Sequence, residues 1–200
     1  MDRSPGQHVT MRTAASDGTR ERLLRAAAEL IAELGWGGVT TRAVAARAEL
    51  PHGTVSYHFR GKQELLTEAA LSVLDQAFPA DAVTALGHLG DLLDLFERWL
   101  AQDGPDEDLV SRVGIEAMLE SQRNELLRHR LASLLRTFRN AVTGLARTAS
   151  DRGELRAGIA PEHVAALIGA IGDGLFLHAR LDPDFRAKEA LATLRALLAP

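Results

Sequence analysis

The sequence predicts an all-α protein of nine helices, a small N-terminal three-helix domain of helix-turn-helix dimensions followed by a larger helical domain. Three observations lead there. From Leu23 onward, apolar residues recur at spacings of three and four, the period of one buried helix face. No stretch alternates with β-branched enrichment as a half-buried strand would. Gly, Pro, Asn and Asp cut the chain into segments joined by short connections, which an all-helical bundle needs.

Residues 1–18 are rich in Ser, Thr, Gly and Asp and lack a period, so they read as a disordered arm. Leu23, Ala27, Leu30 and Leu34 then stand at i, i+4, i+7 and i+11, with Leu24 and Ile31 beside them, and define the first helix. Gly35 suits the left-handed backbone that ends it. After a turn through Trp36, Gly37, Gly38 and Val39, a second helix spans 41–48 with Thr40 as its N-cap. Glu49 and Leu50 interrupt the pattern. Pro51 opens a short third helix ending near Phe59, its missing N–H harmless in a first turn. Arg60-Gly61 is another stop, and Lys62 opens a helix reaching Phe78-Pro79. Five more helices are expected at 83–102, 107–121, 124–151, 161–181 and 184–198. The domains are then a 1–18 arm, a 19–65 helix-turn-helix domain and a 66–200 helical domain.

Composition narrows the function. The 200 residues are 46% hydrophobic and 25% charged with no cysteine, which leaves no disulfide framework and no thiolate chemistry. The first residues lack the apolar core of a secretory signal. The longest apolar run, Val164 to Gly172, stops at Asp173, short of the ~20 residues of a membrane span. A cytoplasmic protein with no membrane partner is the expectation. The net charge of −4 is uneven: residues 1–62 carry nine Arg and Lys against six Asp and Glu, and residues 63–200 fourteen against twenty-one. A basic first third beside an acidic remainder suggests two tasks in one chain. The seven histidines are scattered, and no metal-ligand spacing or phosphate-binding glycine loop is visible, so neither a metal, a cofactor nor an enzyme is expected.

The helix, turn and helix of 41–59 have the dimensions of a unit whose first helix braces and whose second enters the ~12 Å major groove of DNA. Val44, Ala45, Ala48, Leu50 and Val55 supply its small core. The run from Arg20 to Leu66 is more specific and resembles the DNA-binding domain of TetR-family regulators: the Leu- and Ala-rich first helix, the Gly35-Trp36 turn, Thr40-Thr41-Arg42-Ala43-Val44-Ala45, Pro51 through Phe59, and Arg60-Gly61-Lys62-Gln63-Glu64-Leu65-Leu66. The resemblance implies a ligand-responsive repressor that leaves a palindromic double-stranded DNA operator when a small-molecule effector binds. It implies phosphate contacts for Tyr57, His58 and Lys62. Position adds the rest of the expected DNA-binding set: Arg42 at the positive end of the second helix, Thr40 and Thr41 as capping residues within reach of phosphate, His52, Gly53 and Thr54 on the leading turn of the recognition helix, and Ser56 behind them. Two residues depart from the family pattern. Glu49 stands where Gly is usual and a positive φ is needed, at a cost of roughly 1 kcal/mol. Ser56 stands where Tyr is common and reaches less far. These departures leave open an alternative, a ligand-binding helical protein with weakened DNA recognition.

Farther along, the resemblance is architectural and implies a homodimer through the last two helices around an effector pocket. Gly169, Gly172 and Gly174 lie inside an apolar helix, each costing ~1 kcal/mol against Ala, and close helix approach would offset that. With Gly169 and Gly172, Leu191, Leu194 and Leu198 form the expected dimer interface. Trp99, Arg112, Glu116, Met118, Phe138, Asp173, Phe176 and His178 are the expected effector residues, with Arg112 and Glu116 also spaced as a helical ion pair.

Overall fold

The computed structural model describes residues 6–77, 79–101 and 105–199, with side chains at 17–77, 79–100 and 108–199. Among these, the structure is helical throughout: α1 (Gly6–Gly38), α2 (Thr41–Arg47), α3 (Gly53–His58), α4 (Lys62–Ala77), α5 (Ala80–Thr84), α6 (Leu89–Ala101), α7 (Pro105–Ser121), α8 (Glu125–Asp151), α9 (Pro161–Leu181) and α10 (Ala187–Leu198). These are the nine expected helices plus the short α5.

Two differences from expectation have local causes. Helix α1 begins at Gly6, so most of the expected arm is helical. No proline follows Pro5 in this stretch, and a helix nucleated by the Leu- and Ala-rich turns propagates back through residues that do not stop it. The expected 83–102 helix is divided because α6 starts afresh: the His88 backbone N–H donates to the Asp91 carboxylate at 2.9 Å, a side chain satisfying an N-terminal donor from within the first turn. The Gly87 carbonyl before it accepts from Arg152 at 2.8 Å.

The chain forms two compact units, residues 1–76 with 109–130, and residues 77–108 with 131–200. In the first, Leu23, Ala27 and Ile31 of α1, Trp36 and Val39 of the corner, Val44, Val55 and Phe59 of the short helices, Leu65, Leu66 and Ala69 of α4, and Val113 and Ala117 of α7 are all buried. In the second, Leu92, Leu93 and Phe96 of α6, Val142 and Leu145 of α8, Val164, Ile168 and Leu175 of α9 and Leu191 of α10 make one core, with Leu194 and Leu198 packed at its edge.

That core revises the role of two expected interface residues. A Cβ on Gly172 would lie 2.9 Å from the Phe96 ring, so this glycine lets α9 approach α6 within one chain. Leu191 is 3% exposed and belongs to the same interior. The period of 3.6 puts some residues of an apolar helix inward and others outward, and the sequence alone does not show which arc has a neighbour. Gly172→Leu is expected to destabilise the fold by about 1–3 kcal/mol through overpacking on Phe96. Gly144→Ala, on α8 where a Cβ meets nothing, should stabilise it by up to about 1 kcal/mol. Urea unfolding of both variants measures the difference.

Candidate nucleic-acid interface

Helices of seven and six residues do not hold together alone, and α2 and α3 are fixed from three sides. Thr40, with extended backbone (φ −124°, ψ 149°), accepts the Ala43 N–H on its Oγ1 at 3.1 Å and starts α2 as expected. At the other end, the Arg22 guanidinium donates to the Ala48 carbonyl at 2.5 Å. Arg47 grips Glu33 of α1 through two hydrogen bonds of 2.9 and 2.7 Å and reaches Glu29 at 3.4 Å. The hydrogen bond from Arg47, aided by its charge, holds the Glu33 carboxyl below its ordinary pKa. Because the folded state holds the stronger acid, this clamp is in place at neutral pH and is lost as pH falls through the lowered value.

The turn between α2 and α3 carries the strain the sequence implied. Glu49 has φ 53°, a positive φ in a residue with a Cβ. Leu50 donates its N–H to the Ala45 carbonyl at 2.9 Å and closes the turn. Helix α3 begins at Gly53 rather than Pro51; Pro51 forms the preceding turn, its carbonyl accepting the Thr54 N–H at 2.9 Å. Val55 and Phe59 face inward, and the Arg20 guanidinium lies 5.2 Å from the Phe59 ring centre.

What remains faces outward. Arg42, His52, Gly53, Ser56 and Tyr57 are exposed, and Thr41, Thr54 and His58 are half-buried. Tyr57 is 78% exposed, which removes it from the core, and its ring meets His58 edge-on at 5.0 Å. Among the described residues Arg42 has no side-chain partner. Lys62 donates to the Gly37 carbonyl at 3.0 Å, which ties the first turn of α4 to the end of α1. Arg60, not among the expected DNA-contacting residues, is exposed two residues before Lys62, while its backbone N–H is held by the Glu64 carboxylate at 2.6 Å. The positive charge count of the first 62 residues was the available signal for it.

Of the expected effector residues, Arg112, Glu116 and Met118 belong to the first unit, and Trp99, Phe138, Asp173, Phe176 and His178 to the second. Glu116 accepts the Trp36 backbone N–H at 2.9 Å. Trp99 stacks on Phe96 at 5.5 Å, and Arg180 lies 5.5 Å from the Phe176 ring centre. The cavity beside Trp99 and Phe176 measures about 30 Å³. That is room for little more than a water, against the 300 Å³ or more of ordinary ligand pockets. Asp173 is exposed as a residue, yet partial desolvation of its carboxyl pushes its pKa up.

Two short crossed helices held by a longer one, with their polar ends turned outward in an all-helical chain, define a helix-turn-helix DNA-binding protein. Residues 23–69 match the model of the bacterial regulatory proteins of the tetR family, and residues 90–200 that of the BetI-type transcriptional repressor C-terminal domain. The chain belongs to the TetR family of bacterial transcriptional regulators. No curated protein sequence matches it. Among solved structures, reduced NemR of E. coli superposes with a TM-score of 0.76 at 21% identity, over 90% of this chain and 98% of that one. A transcriptional regulator from Saccharomonospora viridis in complex with choline gives 0.74 at 22%, over 90% and 95%. SmeT, the repressor of the Stenotrophomonas maltophilia multidrug efflux pump SmeDEF, gives 0.70 at 25%, over 90% of each chain.

Replacing Glu49 by Gly removes the strained φ and is expected to stabilise the protein by about 1 kcal/mol or less, since glycine also loosens the unfolded chain. Calorimetry should show a rise in Tm of up to a few degrees, and a lower Tm would mean that the strain relieved is smaller than the entropy glycine adds to the unfolded chain.

Proposed function

We propose that this regulator is a homodimeric, ligand-responsive repressor that leaves a pseudo-palindromic operator when a small molecule binds its C-terminal part. The observation that carries the DNA half of this reading is the outward surface of α2 and α3, where Arg42, in the first turn of α2, is exposed without a side-chain partner among the described residues and Tyr57, near the end of α3, stands clear of the core. In this reading Thr40, Thr41, Arg42, Tyr57, His58 and Lys62 hold phosphates, His52 and Thr54 read base edges in the major groove with Gly53 allowing close approach, and Ser56 makes a short contact beside them. The protein acts in the cytoplasm, where its DNA is, and performs no catalysis.

Dimerisation rests on an unpartnered apolar stripe. Leu167, Ala170, Gly174, Leu177 and Leu181 follow one another along α9 at spacings of three and four, and the leucines among them are exposed, Leu181 by 74%. A Cβ added at Gly174 or Gly169 would meet nothing within 4 Å. Leucines flanking small residues suit close packing of a second helix, and Leu197 extends the apolar surface on α10. Helix α9 is long and apolar enough to cross a membrane, but it carries Glu162, His163, Asp173 and Arg180, and a second copy of the chain accounts for its exposed face better. A small-molecule effector is supported by the choline complex of one similar structure, and its chemical class here is left to screening.

Lys62→Ala should weaken binding to all DNA sequences and reduce the salt dependence by about one phosphate contact. His52→Ala or Thr54→Ala should instead relax preference at particular base pairs, by ~1–3 kcal/mol each. Titrations against a panel of variants of the DNA flanking the gene separate the two classes, and identical behaviour of both would defeat the assignment. For assembly, sedimentation of the wild type should give a dimer at micromolar concentration, and Leu177→Glu with Leu181→Glu a folded monomer. Half-sites bound by the dimer should lie one helical turn apart, ~34–36 Å, or a near multiple.

A further inference from the structure

We propose that Glu116, in the second half of α7, is a positioning residue for DNA binding: its carboxylate holds the corner on which Lys62 is seated. The inference rests on the DNA-binding reading above and concerns contacts inside the first compact unit alone.

The physical need begins at Gly35. Its φ of 70° and ψ of 164° interrupt the α1 ladder, so the next N–H leaves the helix axis at Trp36, a residue only 2% exposed. A buried amide needs an acceptor. That N–H belongs to Trp36, and it donates to Glu116 Oε2 at 2.9 Å across 80 residues of sequence. The fit is close, since a Cβ on Gly35 would lie 3.3 Å from the same oxygen. Gly35 thus serves two ends, the backbone reversal and the approach of the carboxylate.

The corner is then joined to the first turn of α4 twice. The Trp36 indole Nε1 donates to Gln63 Oε1 at 3.1 Å, and the next residue, Gly37, accepts the Lys62 ammonium at 3.0 Å. Gln63 also meets the Asn124 amide at 3.5 Å, at the turn leading into α8. Asn124 is itself fixed, its Oδ1 accepting the Leu127 N–H at 3.0 Å. The path from Glu116 to Lys62 is therefore one hydrogen bond to the main chain, two residues of backbone (Trp36 and Gly37) and one ammonium contact. A shift of α7 by a fraction of a helical turn moves the corner and with it the carbonyl that holds the ammonium of the lysine proposed to meet phosphate. Charge-assisted hydrogen bonds of this kind are directional enough to transmit such a shift.

The test uses the full-length protein. Glu116→Met keeps the length of the side chain without the acceptor, and Glu116→Gln keeps an acceptor oxygen. Glu116→Met is expected to lower affinity for the DNA flanking the gene by about 3- to 30-fold, with Glu116→Gln staying near wild type. The decisive reading is a double-mutant cycle with Lys62→Ala. If Glu116 acts through the seat of Lys62, Glu116→Met costs clearly less in the Lys62→Ala background. Full additivity, or wild-type affinity in Glu116→Met, would overturn the proposal. Hydrogen exchange on the wild type needs no variant and covers the case in which Glu116→Met does not fold: the Trp36 amide should be protected, and exchange at the rate of an open amide would also overturn it. Absence of sequence-specific binding by the wild type would remove the DNA-binding reading itself and the proposal with it. Binding with additive mutants removes the latter alone.

Discussion

Helices of seven and six residues are too short to form in water by themselves, and everything the N-terminal unit does depends on that shortness being overcome. The remedy is the apolar face of α1. Leu23, Ala27 and Ile31 give α2 and α3 a fixed floor, onto which Val44, Ala45, Val55 and Phe59 are pressed. Burial of these side chains, at roughly 1.5–3 kcal/mol for each large one, is what orders the two short helices and leaves their polar ends in defined places. Side-chain grips then set the angles: Arg22 on the end of α2, Arg47 on Glu33, and Arg20 over Phe59. Exposed pairs of this kind contribute little energy, and their use here is to choose among packings of similar burial.

The same economy governs the glycines. Gly35 carries a backbone conformation no other residue would adopt cheaply, and Gly172 makes room for an aromatic ring. Opposite these stands Glu49, a non-glycine residue kept at φ 53° because the packing of α2 and α3 on α1 over-determines the turn. A turn held on both sides by buried helices tolerates about 1 kcal/mol of strain that an isolated hairpin would not.

Helix α7 shows why sequence neighbours are a poor guide to partnership. Arg112 and Glu116 have the spacing of a helical ion pair, yet Glu116 is engaged with a backbone amide 80 residues away. No periodicity in the α7 segment announces this. The acceptor is needed by the corner at Gly35, so the demand arises in one part of the chain and is met in another. Trp99 and Phe176 are likewise engaged inside their own unit, with Phe96 and Arg180, and polar or aromatic character on an apolar helix does not by itself announce such partners.

The sequence by itself determined the helical class, the identity of the short paired helices, the Thr40 cap, the break at Gly35 and the positive φ at Glu49. All of these follow from local rules of period, capping and backbone sterics that act within a few residues. It also marked the glycines of α9 as costly inside a helix and so as places of close helix approach. Only the tertiary structure decided that Gly172 and Leu191 face inward while Leu167, Leu177 and Leu181 do not, that α6 begins anew at His88, and that Glu116 serves the corner of α1. Each depends on which arc of a helix meets which partner, and that choice is made by burial summed over the whole unit, to which residues far apart in sequence contribute equally.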